Sequence, residues 1–370
     1  MDMAQVAALE TQVLWVAFGV CVVFGALAQR TNFCTMGAIS DIFNMGRWVR
    51  MRMWGMAVGV AMLGFYAMAY LGWIDPAQSL YAGARVIWLS ALVGGALFGF
   101  GMVLASGCGS KTLVRIGEGN LKSLVVFFVM GFAAYATMRG LTGMWRAQTV
   151  DKVAFNIDAG NALPTWLGPM LGMSATNAGL LLAGAVGGAL VLWALASREF
   201  RGSGVNWLAG LGIGAVITAM WWVTGSLGHV AEHPETLESV YLGTAGGRIQ
   251  ALSFTSPMAR SLEWFMSFDA NMKLTLGVVS VAGVVVGSFV YTVSKRSFHW
   301  EGFHSTQDTA LHLVGAFLMG VGGVTAGGCT VGQGLSGLST LSLTSLIAVA
   351  GIVLGALGGL RLQLWLVMRE

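Results

Sequence analysis

The sequence predicts an all-α polytopic membrane protein of about nine transmembrane helices, built as two inverted pseudo-symmetric repeats with short re-entrant segments. Three observations predict it. Of 370 residues, 56% are hydrophobic and only 10% charged, against about a quarter charged in soluble domains. Runs long enough to cross about 30 Å of hydrocarbon recur along the chain. A single shift of 221 residues then lays a motif of one half on a motif of the other, Cys108 falling on Cys329.

The first apolar run, Val13 to Gln29, follows an acidic leader (Asp2, Glu10) that lacks the basic region and small-residue cleavage site of a signal peptide, so it reads as a membrane span. Met53 to Ile74, Ile87 to Ala105 and Leu121 to Arg139 complete a first repeat over residues 1–175. Thr176 to Ser197 is a lone linking helix within 176–205. Asn206 to Gly225, Leu274 to Ser294, the short Ala310 to Val324, and Leu343 to Met368 form a second repeat over 206–370. The stretch near 229–269, with His229, His233 and several carboxylates, reads as an external insertion.

Four spans plus one linker bring the second half into the membrane from the opposite face, the arrangement that builds sites near the midplane from interrupted helices. With alternating sides, 13 of the 20 Lys and Arg residues, Arg47, Arg50 and Arg52 among them, fall on one face and seven on the other. The positive-inside rule puts the N-terminus outside and the C-terminus in the cytoplasm. The basic residues are dispersed between spans, which argues against a nucleic-acid surface. The 54 glycines suit helices in close backbone contact, and Gly351, Gly355 and Gly359 form a small-xxx-small packing stripe. Trp and Tyr supply interfacial anchors.

Under the 221-residue shift, Leu92, Gly94, Gly99, Gly101, Ala105, Gly107 and Cys108 meet Leu313, Gly315, Gly320, Gly322, Ala326, Gly328 and Cys329. Phe33 to Ser40 falls on Phe254 to Ser261, so that Cys34 is matched by Thr255. The duplicated sites therefore read Cys34, Cys108, Thr255, Cys329.

Inside hydrocarbon, irregular backbone survives only where protein buries it or where it lines a cavity. "SGCGSKT" and "GGCTVGQG" are such breaks. In the first, Gly107 and Gly109 flank the thiol, and Ser110, Lys111 and Thr112 follow as a helix start would, leaving amides that attract anions. In the second, Gly328, Thr330 and Gln333 surround Cys329 without a charge, leaving amides, Thr330 and Gln333 as donors. A free thiol titrates near about 8.5 and apolar burial disfavours its thiolate, so these groups read as neutral donors that pass a sulfur-containing anion along without gripping it. No cysteine sits in a CxxC pair, which argues against a disulfide framework. Cys21, inside a continuous apolar run, reads as packing. His312 reads as an interior histidine or a proton relay. Lys111, Arg115 and Glu118 read as a path exit or a charged membrane boundary.

"QRTNFCTMGAISD", "GFGMVLASGCGSKTLVRIGEGNLKSL" and "GVGGVTAGGCTVGQGLSGLSTLS" resemble the YeeE/YedE family of sulfur transporters, and the likeness covers nearly the whole chain. It implies an hourglass-shaped protein of the bacterial inner membrane that takes up thiosulfate, with no cofactor and no metal. Cys34, Cys108 and Cys329 match the family's cysteines and inherit a relay role through S–H hydrogen bonds. Gly107, Gly109, Ser110, Lys111, Thr255, Gly328, Thr330 and Gln333 would support them. The resemblance also implies a cytoplasmic TusA-like sulfur-carrier partner, separate because this chain ends just past its last span. YedE-type members are linked to selenium metabolism, so a selenium compound or another sulfur anion stays open as substrate. A soft-metal transporter would want paired thiolates, and a membrane thiol oxidoreductase a resolving cysteine; each cysteine here stands alone in its motif.

Overall fold

The computed structural model describes residues 2–158, 160–244, 246–267, 274–303 and 305–368. Among them, nine helical stretches are long and apolar enough to cross a membrane, and the chain is a polytopic α-helical membrane protein. The helices are α1 (Met3–Thr31), α2 (Thr35–Met45), α3 (Val49–Tyr70), α4 (Trp88–Leu104), α5 (Gly109–Glu118), α6 (Leu121–Arg139), α7 (Leu141–Gln148) and α8 (Leu163–Met170). They continue with α9 (Ala175–Leu195), α10 (Gly204–Leu227), α11 (Thr255–Met266), α12 (Leu276–Ser294), α13 (Thr306–Thr325), α14 (residues 330–339) and α15 (Leu343–Val367). Strands are confined to two antiparallel pairs, β1 (Arg85–Val86) with β2 (Phe155–Asn156), and β3 (His229–Val230) with β4 (Val240–Tyr241).

Each predicted span has its helix. The first begins ten residues early, at Met3, because its leading turns pack Val6 against Val230 and Leu242 beside the β3–β4 pair. The insertion near 229–269 is shorter than its sequence stretch: Thr255 already starts α11. Residues 245, 268 and 269 of that stretch lie outside the described residues.

The two motif breaks fold alike, atom for atom. After α4, the N–H groups of Ala105, Ser106 and Gly107 donate to the carbonyls of Gly101, Val103 and Met102 at 2.9, 3.1 and 2.9 Å. After α13, those of Ala326, Gly327 and Gly328 donate to Gly322, Val324 and Gly323 at 2.8, 3.1 and 2.8 Å. Each partner lies 221 residues from its counterpart. The turn residues Ser106 (φ 56°) and Gly327 (φ 71°) are both left-handed, the conformation that satisfies the last carbonyls of a helix and releases the chain from its axis.

α4 and α13 cross at the centre of the molecule on bare backbone. A Cβ placed on Gly101 would stand 2.6 Å from the Gly315 carbonyl oxygen, and one on Gly315 would stand 2.6 Å from that of Gly101. Gly94 and Gly322 meet in the same reciprocal way, each 2.7 Å from the other's oxygen. Small residues are what let membrane helices approach this closely, since lipid offers no hydrophobic drive to hold larger ones together. The surrounding contacts are exchanged between halves: α4 packs on α15 as α13 packs on α6, α1 on α12 as α10 on α3, and α5 on α12 as α14 on α3. Gly351 and Gly355 seat on the backbone of Leu92 and Ala96 of α4, and Gly359 on the Val103 side chain. The linking helix α9 lies outside this arrangement, with Gly187 against Gly59 of α3. Cys21 is buried between α1 and α12, 2.7 Å from where a Cβ on Gly283 would be, and serves packing.

Candidate functional site

Four short helices, α2, α5, α11 and α14, start inside the molecule, and the four duplicated positions stand at those starts. Cys34 and Cys108 are the residues that cap α2 and α5, Thr255 is the first residue of α11, and Cys329 directly precedes α14. Helix starts leave free N–H groups and a partial positive charge, so this placement surrounds each sulfur with donors. The Gly332 N–H points at Cys329 Sγ at 3.4 Å, and the Phe254 N–H reaches the same sulfur.

The sites form a line. Cys34 lies within hydrogen-bonding reach of Cys108, and Cys108 contacts the Ser110 hydroxyl at 3.3 Å. The Thr330 hydroxyl reaches the Cys108 thiol but has no aligned hydrogen-bond partner. Cys329 follows, in electrostatic range of Cys108, and then Phe254 and Thr255. Cys108, Cys329 and Thr255 are fully buried, and Cys34 is half-buried. The Thr255 hydroxyl also lacks a partner. Buried hydroxyls are nearly always hydrogen-bonded; two unpartnered ones on a single line of thiols have donors to spare for something that passes.

A cavity opens at each end of this line. One, about 330 Å³, is walled by Asn32, Cys34, Ser106, Lys111, Arg115 and Glu118, with Arg50, His299 and Glu301 further out. The other, about 170 Å³, is walled by Tyr81, Ser253, Ser256, Arg260, Thr275 and Gly327, with other residues. Three wall positions of the first, Asn32, Met36 and Ser106, correspond under the 221-residue shift to Ser253, Pro257 and Gly327 of the second.

Electrostatics separate the chambers. In the first, Arg50 is paired with Asp41 at 3.3 Å, buried Lys111 donates to Asn32 Oδ1 at 3.2 Å, and Arg115 donates to the Ser106 carbonyl at 2.9 Å. Lys111 also sits in electrostatic range of Cys34 and Cys108. Among the described residues, no carboxylate lines the wall of the second chamber.

Some supporting residues differ from their expected part. Gln333 is partly engaged: one amide N–H donates to the Ala326 carbonyl at 2.7 Å and its oxygen accepts from Ser345 at 2.6 Å, so it braces the second break. Gly107 and Gly328 follow the left-handed turn residues Ser106 and Gly327, and a Cβ on Gly109 would meet the side chains of Met130 and Met258. His312 is away from the line, with Nδ1 on the Asp308 backbone oxygen at 2.8 Å and its carboxylate at 3.0 Å. Sequence reasoning missed Tyr81, which walls the second chamber in electrostatic range of Cys329 and whose hydroxyl donates to the Gly332 carbonyl at 2.7 Å. It also missed Arg260 and Asn32. The shift itself carried a signal for Asn32, which falls on Ser253; Tyr81, in a loop without periodicity, had none.

A family model described as sulphur transport matches residues 30–357. The chain belongs to this family. Its members are transporters and not enzymes. The chain is 25% identical over 354 residues to the thiosulfate transporter TsuA of Spirochaeta thermophila, covering 92% of this chain and 96% of that one. It is 28% identical over 340 residues to the thiosulfate transporter TsuA of Escherichia coli, covering 90% and 89%. Among the described residues, no group of three or more His, Cys, Asp or Glu side chains is placed to hold a metal ion.

Proposed function

We propose that this family member carries thiosulfate inward across the bacterial inner membrane, handing the ion along Cys329, Cys108 and Cys34 by S–H hydrogen bonds. The observation that supports this reading is the row of Cys34, Cys108, Thr330, Cys329 and Thr255 between two chambers. The two halves act as inverted repeats over 1–175 and 206–370, linked by 176–205, which is why their contacts are exchanged in pairs. The N-terminus is periplasmic, so the Arg260 chamber faces the periplasm and the Cys34 chamber the cytoplasm.

Each thiol offers one weak donor, enough to replace part of the ion's hydration and too little to trap it. Entry of a dianion against about 100 mV, inside negative, costs roughly 4.6 kcal/mol. A cytoplasmic sink that consumes the sulfur supplies that driving force, the part assigned here to a TusA-like carrier protein at the Cys34 mouth.

Growth of a sulfur-auxotrophic bacterium on limiting thiosulfate tests the reading. Cys34→Ala, Cys108→Ala and Cys329→Ala each abolish or severely reduce rescue, and Cys21→Ala does not. Equal rescue by all four variants removes the relay.

A further inference from the structure

The Arg260 chamber has features the cysteine line does not use. It is small, about 170 Å³, and among the described residues Arg260 is the one charged side chain on its wall. Around it stand the hydroxyls of Ser253, Ser256 and Thr275, the last with a buried oxygen that has no partner. Behind it stands the Thr255 hydroxyl, fully buried and unpartnered. A guanidinium presents five donors in a planar fork that fits oxyanions, and hydroxyls add donors that rotate to suit.

The opposite chamber is unlike it where the repeat makes them comparable. There Cys34 occupies the position of Thr255, and the nearest cations are already engaged by Asp41, Asn32 and a backbone carbonyl. One end of the path thus offers oxygen-seeking donors and an uncompensated positive charge, the other a thiol. A dianion cannot leave water for a neutral waist unless charge meets it first.

We propose that the Arg260 chamber is the recognition site, which takes a tetrahedral sulfur oxyanion by its oxygens on Arg260 and the hydroxyls of Ser253, Ser256 and Thr275, with the Thr255 hydroxyl holding it at the entrance to the thiols. The terminal sulfur of thiosulfate then points inward past Tyr81 to Cys329, and enters the line first. An oxyanion without a terminal sulfur, such as sulfate, occupies the chamber but goes no further. This rests on the thiosulfate-uptake reading and adds where and how the ion is selected.

The test uses the full chain in proteoliposomes, with radiolabelled thiosulfate uptake measured against added sulfate. Sulfate inhibits competitively and is itself not accumulated. Arg260→Gln raises KM for thiosulfate about tenfold or more, the loss of a hydrogen-bonded charge, leaves kcat within about twofold, since the chamber selects and the thiols conduct, and abolishes the sulfate inhibition. Arg260→Lys restores part of it. Thr255→Val raises KM in the same direction. Unchanged KM and unchanged sulfate inhibition in Arg260→Gln overturn the proposal, as does a wild-type protein that sulfate does not inhibit. Calorimetric binding of sulfate to the detergent-purified wild type and Arg260→Lys proteins decides the matter if Arg260→Gln fails to fold. If wild-type protein binds sulfate through Arg260 yet moves no thiosulfate, the uptake reading fails and the recognition site stands.

Discussion

Thr330 and Thr255 carry their hydroxyls into places where neither finds an aligned partner. Burial of an unsatisfied hydroxyl is costly, and exchanging it for an apolar group of the same shape is neutral or stabilising. Thr330→Val therefore leaves the melting temperature of the purified protein unchanged or raised. It lowers thiosulfate uptake about fivefold, the worth of one hydrogen bond of about 1 kcal/mol. A residue kept for packing gives the reverse pair of results. The repeat marked Cys34, Cys108 and Cys329 as candidates, and glycines flank the latter two; Cys21, inside a continuous apolar run, is buried where α1 meets α12. For Gln333 in the same motif, the sequence shows that an amide is near but not that it braces the turn through Ala326 and Ser345. Arg260 and Tyr81 share a chamber wall only because α11 and the loop before β1 meet in space.

At the scale of the helix, glycine decides where the waist is. Gly101 and Gly315 let α4 and α13 touch at backbone distance, and the two helices end at Leu104 and Thr325 in the turns that lead to Cys108 and Cys329. Gly315→Val places carbon 2.6 to 2.7 Å from the Gly101 oxygen and the Ala105 nitrogen, where nothing flexible can yield. Forcing extra carbon into such a contact costs about 1–3 kcal/mol, so this variant melts at a lower temperature and loses uptake. Gly302→Val, where a Cβ meets open space, is neutral in both assays. Helix existence was legible from hydropathy alone, since a run of about 20 apolar residues has few other uses. The ends were less so: α1 runs to Met3 because of contacts with a strand pair more than 220 residues away, a distance no local pattern reports.

For the whole molecule, the exchange of contacts between halves places two chambers on opposite ends of one line. By the positive-inside rule, the distribution of 13 against seven basic residues predicts the orientation of that line, with the Arg260 chamber outward. A C-terminal green-fluorescent fusion is accordingly bright in the cytoplasm, and alkaline phosphatase joined to the N-terminus after an export signal is active. The opposite pair of signals would turn the chambers round and make the thiol end the entrance. The 221-residue shift made this architecture legible in outline. The asymmetry within it, a hydroxyl at Thr255 where the other half has a thiol at Cys34, was visible as letters but gained meaning from the cavity beside each.

The central claim is that thiol groups conduct the ion, and uptake of radiolabelled thiosulfate into proteoliposomes holding purified Cys108→Ala protein tests it most directly. The account predicts an initial rate at least about tenfold below wild type, a barrier raised by about 1.4 kcal/mol or more, in a variant that melts at the wild-type temperature, whereas Cys21→Ala keeps the wild-type rate. Uptake by Cys108→Ala at the wild-type rate would contradict it.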